Sequence, residues 1–379
     1  MPEPPPAPVG LVLTGGGARG AYQAGALCAI AEQAERLGVA SPYPIVVGTS
    51  AGAINAAFLA THADAPLGAA GQLRAVWSDL TAGQVYRTDV FTLGQIGLRW
   101  IAELSLSGFI ERRHANALLD TTPLGQLLRE TLPFERIDEH LASGALRGVA
   151  VTAVDYCCGT SRTFFQGPAA PWTRFRRYGE RARIGLPHVL ASSAIPVLFP
   201  PVAHEGHHLG DGSVRNYTPL SPAIKLGARR LIVIGVRNPE SLPATAPGGR
   251  PTIARIGGSL LDAVLLDAID LDVERCQRIS QTVGAVPAAA DTPLERIELC
   301  VIRPSFDVGA IAAEEVGALP RSLRHLLGGL GSPEEAAELI SYLLFEPAFT
   351  RRLIDMGYRD ARAAAPQLEA LWLGGAASR

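Results

Sequence analysis

The chain has 379 residues and a formal net charge of −2 at neutral pH. Hydrophobic residues make up 47% of it and charged residues 18%, a balance that is typical of a globular protein and excludes a disordered one. The near-neutral charge favours neither a nucleic acid partner nor electrostatic retention of the whole protein on an anionic membrane. No run of about 18 apolar residues occurs, so no membrane-spanning helix is expected.

The cysteines and the N-terminal sequence bear on the compartment. Five cysteines are scattered along the chain without CxxC spacing, which predicts neither a disulfide framework nor a zinc site and favours a reducing compartment. The sequence MPEPPPAP lacks the basic and apolar regions of a signal peptide. We therefore expect a cytoplasmic protein without metal or cofactor, and peripheral contact with a membrane stays open.

The first elements in chain order are two strand–turn–helix units. Residues 1–8 are proline-rich and predict a flexible tail. A strand, a tight turn and a helix then follow twice in succession, which predicts a buried parallel sheet. The units are Val9–Leu13 with a glycine loop and a helix to about Leu37, and Pro44–Val47 with a turn at Gly48–Gly52 and a helix to about Thr61.

The remaining chain predicts a single domain over residues 9–379, with a core at 9–236 and a C-terminal strand and helices at 250–379. Within a mostly helical stretch, segment 83–110 is apolar and broken by glycines. It is either a mobile cap over a functional site or an ordinary buried helix pair. Buried strands are predicted within residues 147–236 and 295–304, one long helix in 250–292, and an amphipathic helix after Ser332.

A basic, aromatic segment, WTRFRRYGERAR at residues 172–183, stands out in this stretch. Its arginines alternate with Trp172, Phe175 and Tyr178, a mixture that suits an anionic lipid interface. The competing interpretation is a solvated helix face, since arginine supplies nearly all of the positive charge in this chain. The arginines concerned are Arg174, Arg176, Arg177, Arg181 and Arg183.

The pentapeptide GTSAG, residues 48–52, fits the pattern Gly-x-Ser-x-Gly at the second strand–helix junction. A serine on such a turn has its hydroxyl pushed out above the sheet edge, and a helix N-terminus behind it stabilises negative charge. Ser50 is therefore a candidate nucleophile, and Gly48 and Gly52 are the small residues that the turn requires. The alternative is a tight turn with a capping serine.

The glycine loop TGGGARG, residues 14–20, occupies the first junction. Consecutive glycines leave backbone N–H groups free to converge on one point, as an oxyanion hole requires. Gly15, Gly16 and Gly17 are the candidate donors. Arg19 is either a positive charge beside them or a solvated arginine at a helix start.

The same loop has a rival interpretation, because Gly15-x-Gly17-x-x-Gly20 also matches the dinucleotide-binding fingerprint of nucleotide-binding oxidoreductases. That fingerprint expects a second strand that ends in Asp or Glu about 20 residues further on. Here the next strand ends in Val47-Gly48-Thr49-Ser50 instead.

Asp211, in HHLGDGSVRN, follows a strand-like run. A carboxylate on a short loop beside a nucleophile can accept its proton directly, in the part that histidine plays in a triad. The alternative is an aspartate in a local Asx turn. His204, His207 and His208 lie just upstream and are the candidates for a triad, although three nearby histidines without an acidic partner complete no metal site.

Taken together, four motifs in this order resemble the patatin-like phospholipase family: GLVLTGGGARGAY, GTSAGAINA, ASSAIPVLFPPV and DGS. The tail FTRRLIDMGYRDARAA is similar to the helix that closes many bacterial members. Two departures are visible. Thr14 stands where an acidic or small residue is common, and Ser213 replaces the usual Gly or Ala, so that its hydroxyl can bond to Asp211 and lower its basicity.

The resemblance implies a three-layer α/β/α sandwich with a mostly parallel central sheet. It also implies calcium-independent hydrolysis of lipid acyl esters, with Ser50 as nucleophile, Asp211 as its dyad partner and the glycine loop as oxyanion hole. A patatin-like scaffold with a regulatory role is the remaining alternative. The lipid class, the ester position and the oligomeric state do not follow from the sequence.

Overall fold

The computed structural model describes residues 7–87, 117–240, 251–285, 294–328, 332 and 335–374. Residues 88–110 of the predicted cap segment 83–110 lie outside these ranges, and so do residues 1–6 of the predicted tail. Ten strands are assigned in chain order: β1 Val9–Leu13, β2 Ile45–Thr49, β3 Gly148–Asp155, β4 Thr160–Gln166, β5 Trp172–Arg174, β6 Arg177–Arg181, β7 Val202–His204, β8 His207–Asp211, β9 Arg230–Ile234 and β10 Glu298–Ile302.

The strands form one mixed sheet in the order β10-β9-β1-β2-β3-β4-β6-β5, and β8 and β7 extend it beside β3. The five strands from β10 to β3 are parallel to one another. β4 and β8 pair antiparallel with β3. The strands β1 and β2 are apolar and wholly buried, as expected for parallel strands covered on both faces.

Helices cover both faces of the sheet. Those of the described residues are α1 Gly20–Arg36, α2 Ala51–Thr61, α3 Pro66–Asp79, α4 Ala82–Val85, α5 Thr122–Thr131, α6 Arg136–Ser143, α7 Leu186–Ser192, α8 Ser221–Lys225, α9 Ile253–Leu265, α10 Asp267–Ala285, α11 Val308–Glu314, α12 Arg321–Gly328, α13 Ala337–Leu343, α14 Pro347–Ala363 and α15 Ala365–Leu373.

Two apolar clusters separate the three layers. Strand alternation points Val46 into the larger cluster, with α1, α2, α3 and α14, and points Ile45 and Val47 into the smaller one, with α8 and α10. The predicted α/β/α sandwich is thereby confirmed, with a sheet that is parallel in one half and mixed in the other. The C-terminal part joins both layers, because β10 extends the sheet and Tyr22 of α1 donates to Asp360 of α14 at 2.9 Å.

Three local predictions are wrong. Segment 172–183 forms the β5–β6 hairpin and not a helix face, because Trp172 stacks on Phe165 of β4 at 4.9 Å between ring centroids. Within the region 147–236, where buried strands were predicted, Leu186–Ser192 forms the helix α7 instead. The single helix predicted for 250–292 is divided at Leu266 into α9 and α10.

Candidate active site

Ser50 is the single residue between β2 and α2, and its backbone has φ 57° and ψ −129°. A side chain is held in this sparsely populated conformation only where the surrounding structure enforces it. Here the enforcement is close packing: a Cβ on Gly48 would lie 2.1 Å from the Gly52 carbonyl oxygen, and one on Gly52 would lie 2.2 Å from that of Leu13. The turn therefore has the form of a nucleophile elbow.

Strand register brings Asp211 to the same place. β4 occupies one edge of β3, and β2 pairs along the other edge as far as Thr49 opposite Thr152. β8 then continues on that edge, with Asp211 opposite Ala153. The carboxyl ends of β2 and β8 thus meet head to head along β3. Ser50, which follows β2, and Asp211, which ends β8, are therefore neighbours in the fold although 161 positions apart in the sequence.

Asp211 is fully buried, and burial raises the pKa of its carboxyl from an ordinary 3.8 to about 6, against the lowering effect of Ser50 and Ser213. Its Oδ1 accepts the Ser213 backbone N–H at 2.9 Å. Its Oδ2 has no well-formed hydrogen bond with any residue in the described ranges. The Ser50 hydroxyl is therefore close enough to affect this carboxylate without being aligned in a full hydrogen bond, a common state of catalytic pairs without substrate.

The glycine loop faces the Ser50 side chain. A Cβ on Gly15 would lie 2.8 Å from Ser50 Cβ, so only glycine allows this approach. Gly16 and Gly17 have positive φ, at 154° and 56°. Among the described residues, no acceptor takes the backbone N–H of Gly15 or Gly16. These donors have the position and the freedom that an oxyanion hole requires.

Arg19 has contacts that do not support the predicted oxyanion role. Its side chain is only 1% exposed and forms an ion pair with Glu338 and a 2.8 Å hydrogen bond from Nε to Ser341 Oγ. The guanidinium also lies 4.4 Å from the centre of the Tyr342 ring. Arg19 thus fastens the glycine loop to α13. Its partners lie more than 300 residues after it in the chain, and no sequence pattern predicts these contacts.

Ser192 is a residue of the site that the sequence interpretation did not single out. Its hydroxyl accepts the Ser50 backbone N–H at 3.0 Å and donates to the Thr152 carbonyl at 2.6 Å. It therefore ties the nucleophile turn to β3 from the end of α7. The signal available was its position in the motif ASSAIPVLFPPV.

The histidines considered for a triad lie away from this pair. His207 shares a face of β8 with Asp211 but lies four residues back, about 13 Å along a strand, and its Nδ1 is 2.7 Å from Asp155 Oδ2. His204 packs against the rings of Phe164 and His188. These contacts give no support to a Ser-His-Asp triad.

His207 does have an acidic neighbour, contrary to the interpretation of the histidine cluster from sequence. Ligand atoms of Asp155, Cys158 and His207 lie within 4.8 Å of one another, a grouping able to hold a metal ion. However, Arg162 Nη1 is 3.8 Å from the same Asp155 oxygen as His207. The carboxylate thus already has a cation beside it, and the simplest interpretation is a charge network that closes the β3–β4 turn.

An apolar cavity begins at Ser50 and follows α2. Ala51, Ile54 and Phe58 line it from one face of that helix, and the rise from Ser50 to Phe58 is about 12 Å. α3 and α5 form the opposite walls with leucine and tryptophan side chains. The cavity encloses only about 50 Å³, so side chains must move before a long chain can enter. No helix in the described ranges is long and apolar enough to cross a bilayer.

One family model matches more than half of the chain. The model of the family described as patatin-like phospholipase matches residues 11–224, which include Ser50 and Asp211. No curated protein matches the chain.

The solved structures that match this chain have low sequence identity to it. VipD from Legionella pneumophila is 13% identical with a TM-score of 0.38, over 96% of this chain and 67% of its own. Human GIVD cytosolic phospholipase A2, in complex with methyl gamma-linolenyl fluorophosphonate and terbium chloride, is 14% identical with a TM-score of 0.46, over 97% and 59%. The type III effector protein ExoU is 16% identical with a TM-score of 0.36, over 96% and 54%. The chain thus spans about two thirds of the length of VipD and little more than half of the other two.

Proposed function

The chain belongs to the patatin-like phospholipase family, and from this premise we propose that it hydrolyses acyl esters of lipids with Ser50 as nucleophile and Asp211 as proton acceptor. The observation that carries the proposal is the meeting of β2 and β8 along β3, which sets a strained, buried serine beside a buried carboxylate. No second function has comparable support. The fingerprint Gly15-x-Gly17-x-x-Gly20 belongs to a loop that faces Ser50 and is followed by no acidic strand end.

Hydrolysis would follow two steps of nucleophilic catalysis. The Ser50 hydroxyl oxygen attacks the ester carbonyl while its proton passes to Asp211, and the tetrahedral oxyanion accepts hydrogen bonds from the N–H groups of Gly15 and Gly16. Collapse breaks the ester bond, and Asp211 returns the proton to the departing alcohol. Water then attacks the acyl-serine, again giving a proton to Asp211, and the fatty acid leaves as Ser50 is restored.

The raised pKa of Asp211 suits this role. An ordinary aspartate is too weak a base to take a proton from a serine efficiently, and a base works best when its pKa approaches the operating pH. With a pKa of about 6, Asp211 is still ionised at neutral pH and is a stronger base than a surface carboxylate. Burial therefore provides, in part, what histidine provides in a triad.

The apolar cavity supports an acyl chain as the part of the substrate that this site holds. Its walls are apolar apart from a few side chains such as Thr131 and Ser193, and burial of methylene groups there contributes about 0.8 kcal/mol each. Because the cavity starts at Ser50, a chain that fills it would place its carboxyl ester beside the nucleophile.

The test is a panel of phospholipids, lysophospholipids and acylglycerols incubated with the purified chain and analysed by mass spectrometry for released fatty acid. We expect release from at least one class and none with Ser50→Ala. A fluorophosphonate probe should label the wild type and not that variant. Undiminished release by Ser50→Ala, or a chain that neither releases fatty acid nor reacts with the probe, would contradict the proposal.

A further inference from the structure

A second, polar groove of about 190 Å³ lies on the α10 side of the molecule. Four arginines line it, from three separate elements: the β5–β6 hairpin, the segment after Asp211, and α10. Two aromatic side chains accompany them. The residues are Arg176, Arg177, Arg215 and Arg275, with Phe175 and Tyr217.

The positive charge of this groove is poorly compensated. In the described part of the chain, Arg176 and Arg215 form no ion pair with a carboxylate. Arg275 lies 3.4 Å from Asp272. Burial raises the pKa of that carboxyl, and Arg177, which donates to Thr218 Oγ1, is near enough that its charge lowers it. That carboxylate also accepts the Leu220 backbone N–H at 3.0 Å. Like charges held together in a groove create a strong local potential that attracts an anion.

Arginines elsewhere in the described part of the chain fall into two groups. Some are paired with a carboxylate, as Arg162 is with Glu180. Others have no carboxylate partner and donate to backbone carbonyls instead, as Arg181 and Arg230 do. The groove differs from both groups because arginines from three separate elements converge on one concave surface.

The aromatic side chains of the groove point towards solvent. Phe175 is 87% exposed and Tyr217 is 59% exposed. Phe175 lies in the two-residue turn between β5 and β6, and the next residue, Arg176, has φ 54°, a costly conformation for a side chain other than glycine. Exposed aromatic rings beside arginines are the composition by which proteins contact the headgroup region of a bilayer.

The groove opens at the same edge of the sheet as Ser50. Arg215 lies four residues after Asp211, and Asn216 donates to Thr49 Oγ1 at 3.0 Å, next to the nucleophile. Arg177 pairs in register with Ser161, close to the turn that ends β3. The apolar cavity lies on the α2 face of the sheet and the groove on the α10 face, so the two are on opposite sides of Ser50.

We propose that this groove binds the phosphate of an anionic phospholipid at a bilayer surface, with Phe175 and Tyr217 entering the headgroup layer. The arginines supply the charge and the forked hydrogen-bond donors that phosphate prefers. The proposal rests on the proposed function only in placing a lipid ester at Ser50, since binding needs no hydrolysis. Binding of the groove to a bilayer would orient the protein so that the edge of the sheet at which Ser50 lies faces the membrane.

The experiment measures vesicle binding in the Ser50→Ala background, so that hydrolysis cannot affect it. Vesicles of phosphatidylcholine alone and vesicles with added phosphatidylglycerol are compared by flotation. We expect binding only when phosphatidylglycerol is present, weakening as salt rises. Arg176→Gln/Arg215→Gln should weaken it about 30-fold, as expected for two basic side chains at an anionic surface.

The matched control is Arg74→Gln/Arg183→Gln, which removes the same charge from two exposed side chains outside the groove and should change binding less than threefold. Phe175→Ala, an exposed position that should not affect folding, should weaken binding severalfold. Equal weakening by both arginine pairs, no effect of either, or capture of inorganic phosphate without vesicle binding would each overturn the proposal.

A soluble short-chain ester separates the two proposals. Arg176→Gln/Arg215→Gln in a chain that retains Ser50 should hydrolyse it at the wild-type rate. Absence of all hydrolysis with vesicle binding intact would refute the proposed function alone. Normal hydrolysis with vesicle binding that is indifferent to the groove variants would refute the groove alone.

Discussion

The two strand–turn–helix junctions at the centre of the sheet, β1–α1 and β2–α2, begin from similar sequence patterns and present different groups. The first has a glycine loop whose Gly15 and Gly16 leave their N–H groups without acceptors among the described residues. The second reduces the turn to Ser50, whose N–H is already bound by Ser192. One junction thus offers backbone donors and the other a side chain.

The difference follows from the space that each turn leaves. A Cβ in the first loop would meet Ser50, whereas the strained backbone of the second directs its side chain into the space that the loop leaves free. The pair therefore forms one site only because glycine stands on one side and serine on the other. Each of the following predictions alters the glycine loop, the support of the Ser50 turn, or Asp211, the proposed base.

Asp211→Asn should have the largest effect, because neither the glycine loop nor the Ser50 turn supplies another base that can take the proton of the nucleophile. We expect kcat for a p-nitrophenyl acyl ester to fall by about 10³-fold, the usual contribution of a positioned base. Circular dichroism should show an unchanged fold, since Asn can still accept the Ser213 N–H. His207→Gln serves as the control and should retain activity. The reverse result, an active Asp211→Asn and an inactive His204, His207 or His208 variant, would establish a triad.

The same substitution should stabilise the protein above neutral pH. Burial raises the pKa of Asp211 to about 6 in the fold from an ordinary 3.8, so the folded state binds the proton more tightly than the unfolded state. The stability that this contributes is fully present below pH 3.8 and is lost as the pH rises through 6, by about 3 kcal/mol in all. Asp211→Asn should therefore melt about 5 °C above the wild type at pH 7.5 and close to it at pH 4. A constant difference across this range would contradict the assignment.

Gly15→Ala tests the donor junction. The new Cβ would lie 2.8 Å from Ser50 Cβ and 2.7 Å from Ser213 Oγ, so the loop must withdraw and its N–H groups leave the oxyanion. Loss of such a donor costs about 10²-fold in kcat. Gly71→Ala is the matched control, since Gly71 is an exposed position of α3 with open space around its Cα. Steady-state kinetics with equal kcat for Gly15→Ala and Gly71→Ala would remove the loop from the mechanism.

The sequence predicted those parts of the fold and site whose signals are local. The junctions, their strands and Ser50 follow from apolar runs, glycines and a Gly-x-Ser-x-Gly turn within some fifty residues. Asp211 was proposed from its position after a strand-like run and then from the order of the motifs, because its own surroundings also suit an Asx turn. The register that places it beside Ser50 depends on β8 pairing with β3, which no local pattern specifies.

The predictions that failed depended on distant partners. Arg19 was predicted either as a positive charge beside the oxyanion hole or as a solvated arginine at a helix start. It does precede α1, but it is buried and held by Glu338 and Ser341, far along the chain. For segment 172–183 the helix face, one of the two interpretations of its charges, is wrong. The segment is a hairpin whose β6 pairs with β4 and whose Trp172 stacks on Phe165, and the local sequence does not indicate this pairing. The break at Leu266 occurs where Arg237 binds both Asp267 and Asp270 at the start of α10.

Ser192 lies in a motif that is visible in the sequence, but its role depends on the distant partners Ser50 and Thr152. Its substitution should have the smallest effect. Ser192→Ala removes the acceptor for the Ser50 N–H and the donor to the Thr152 carbonyl, and both groups are buried. Loss of one such support costs about 1.4 kcal/mol, or tenfold in rate. Because Ser192 positions the turn and does not line the apolar cavity, kcat should fall while KM for the ester stays unchanged. Ser192→Thr, which keeps the hydroxyl, should recover part of the loss, whereas a raised KM with normal kcat would indicate a role in substrate binding instead.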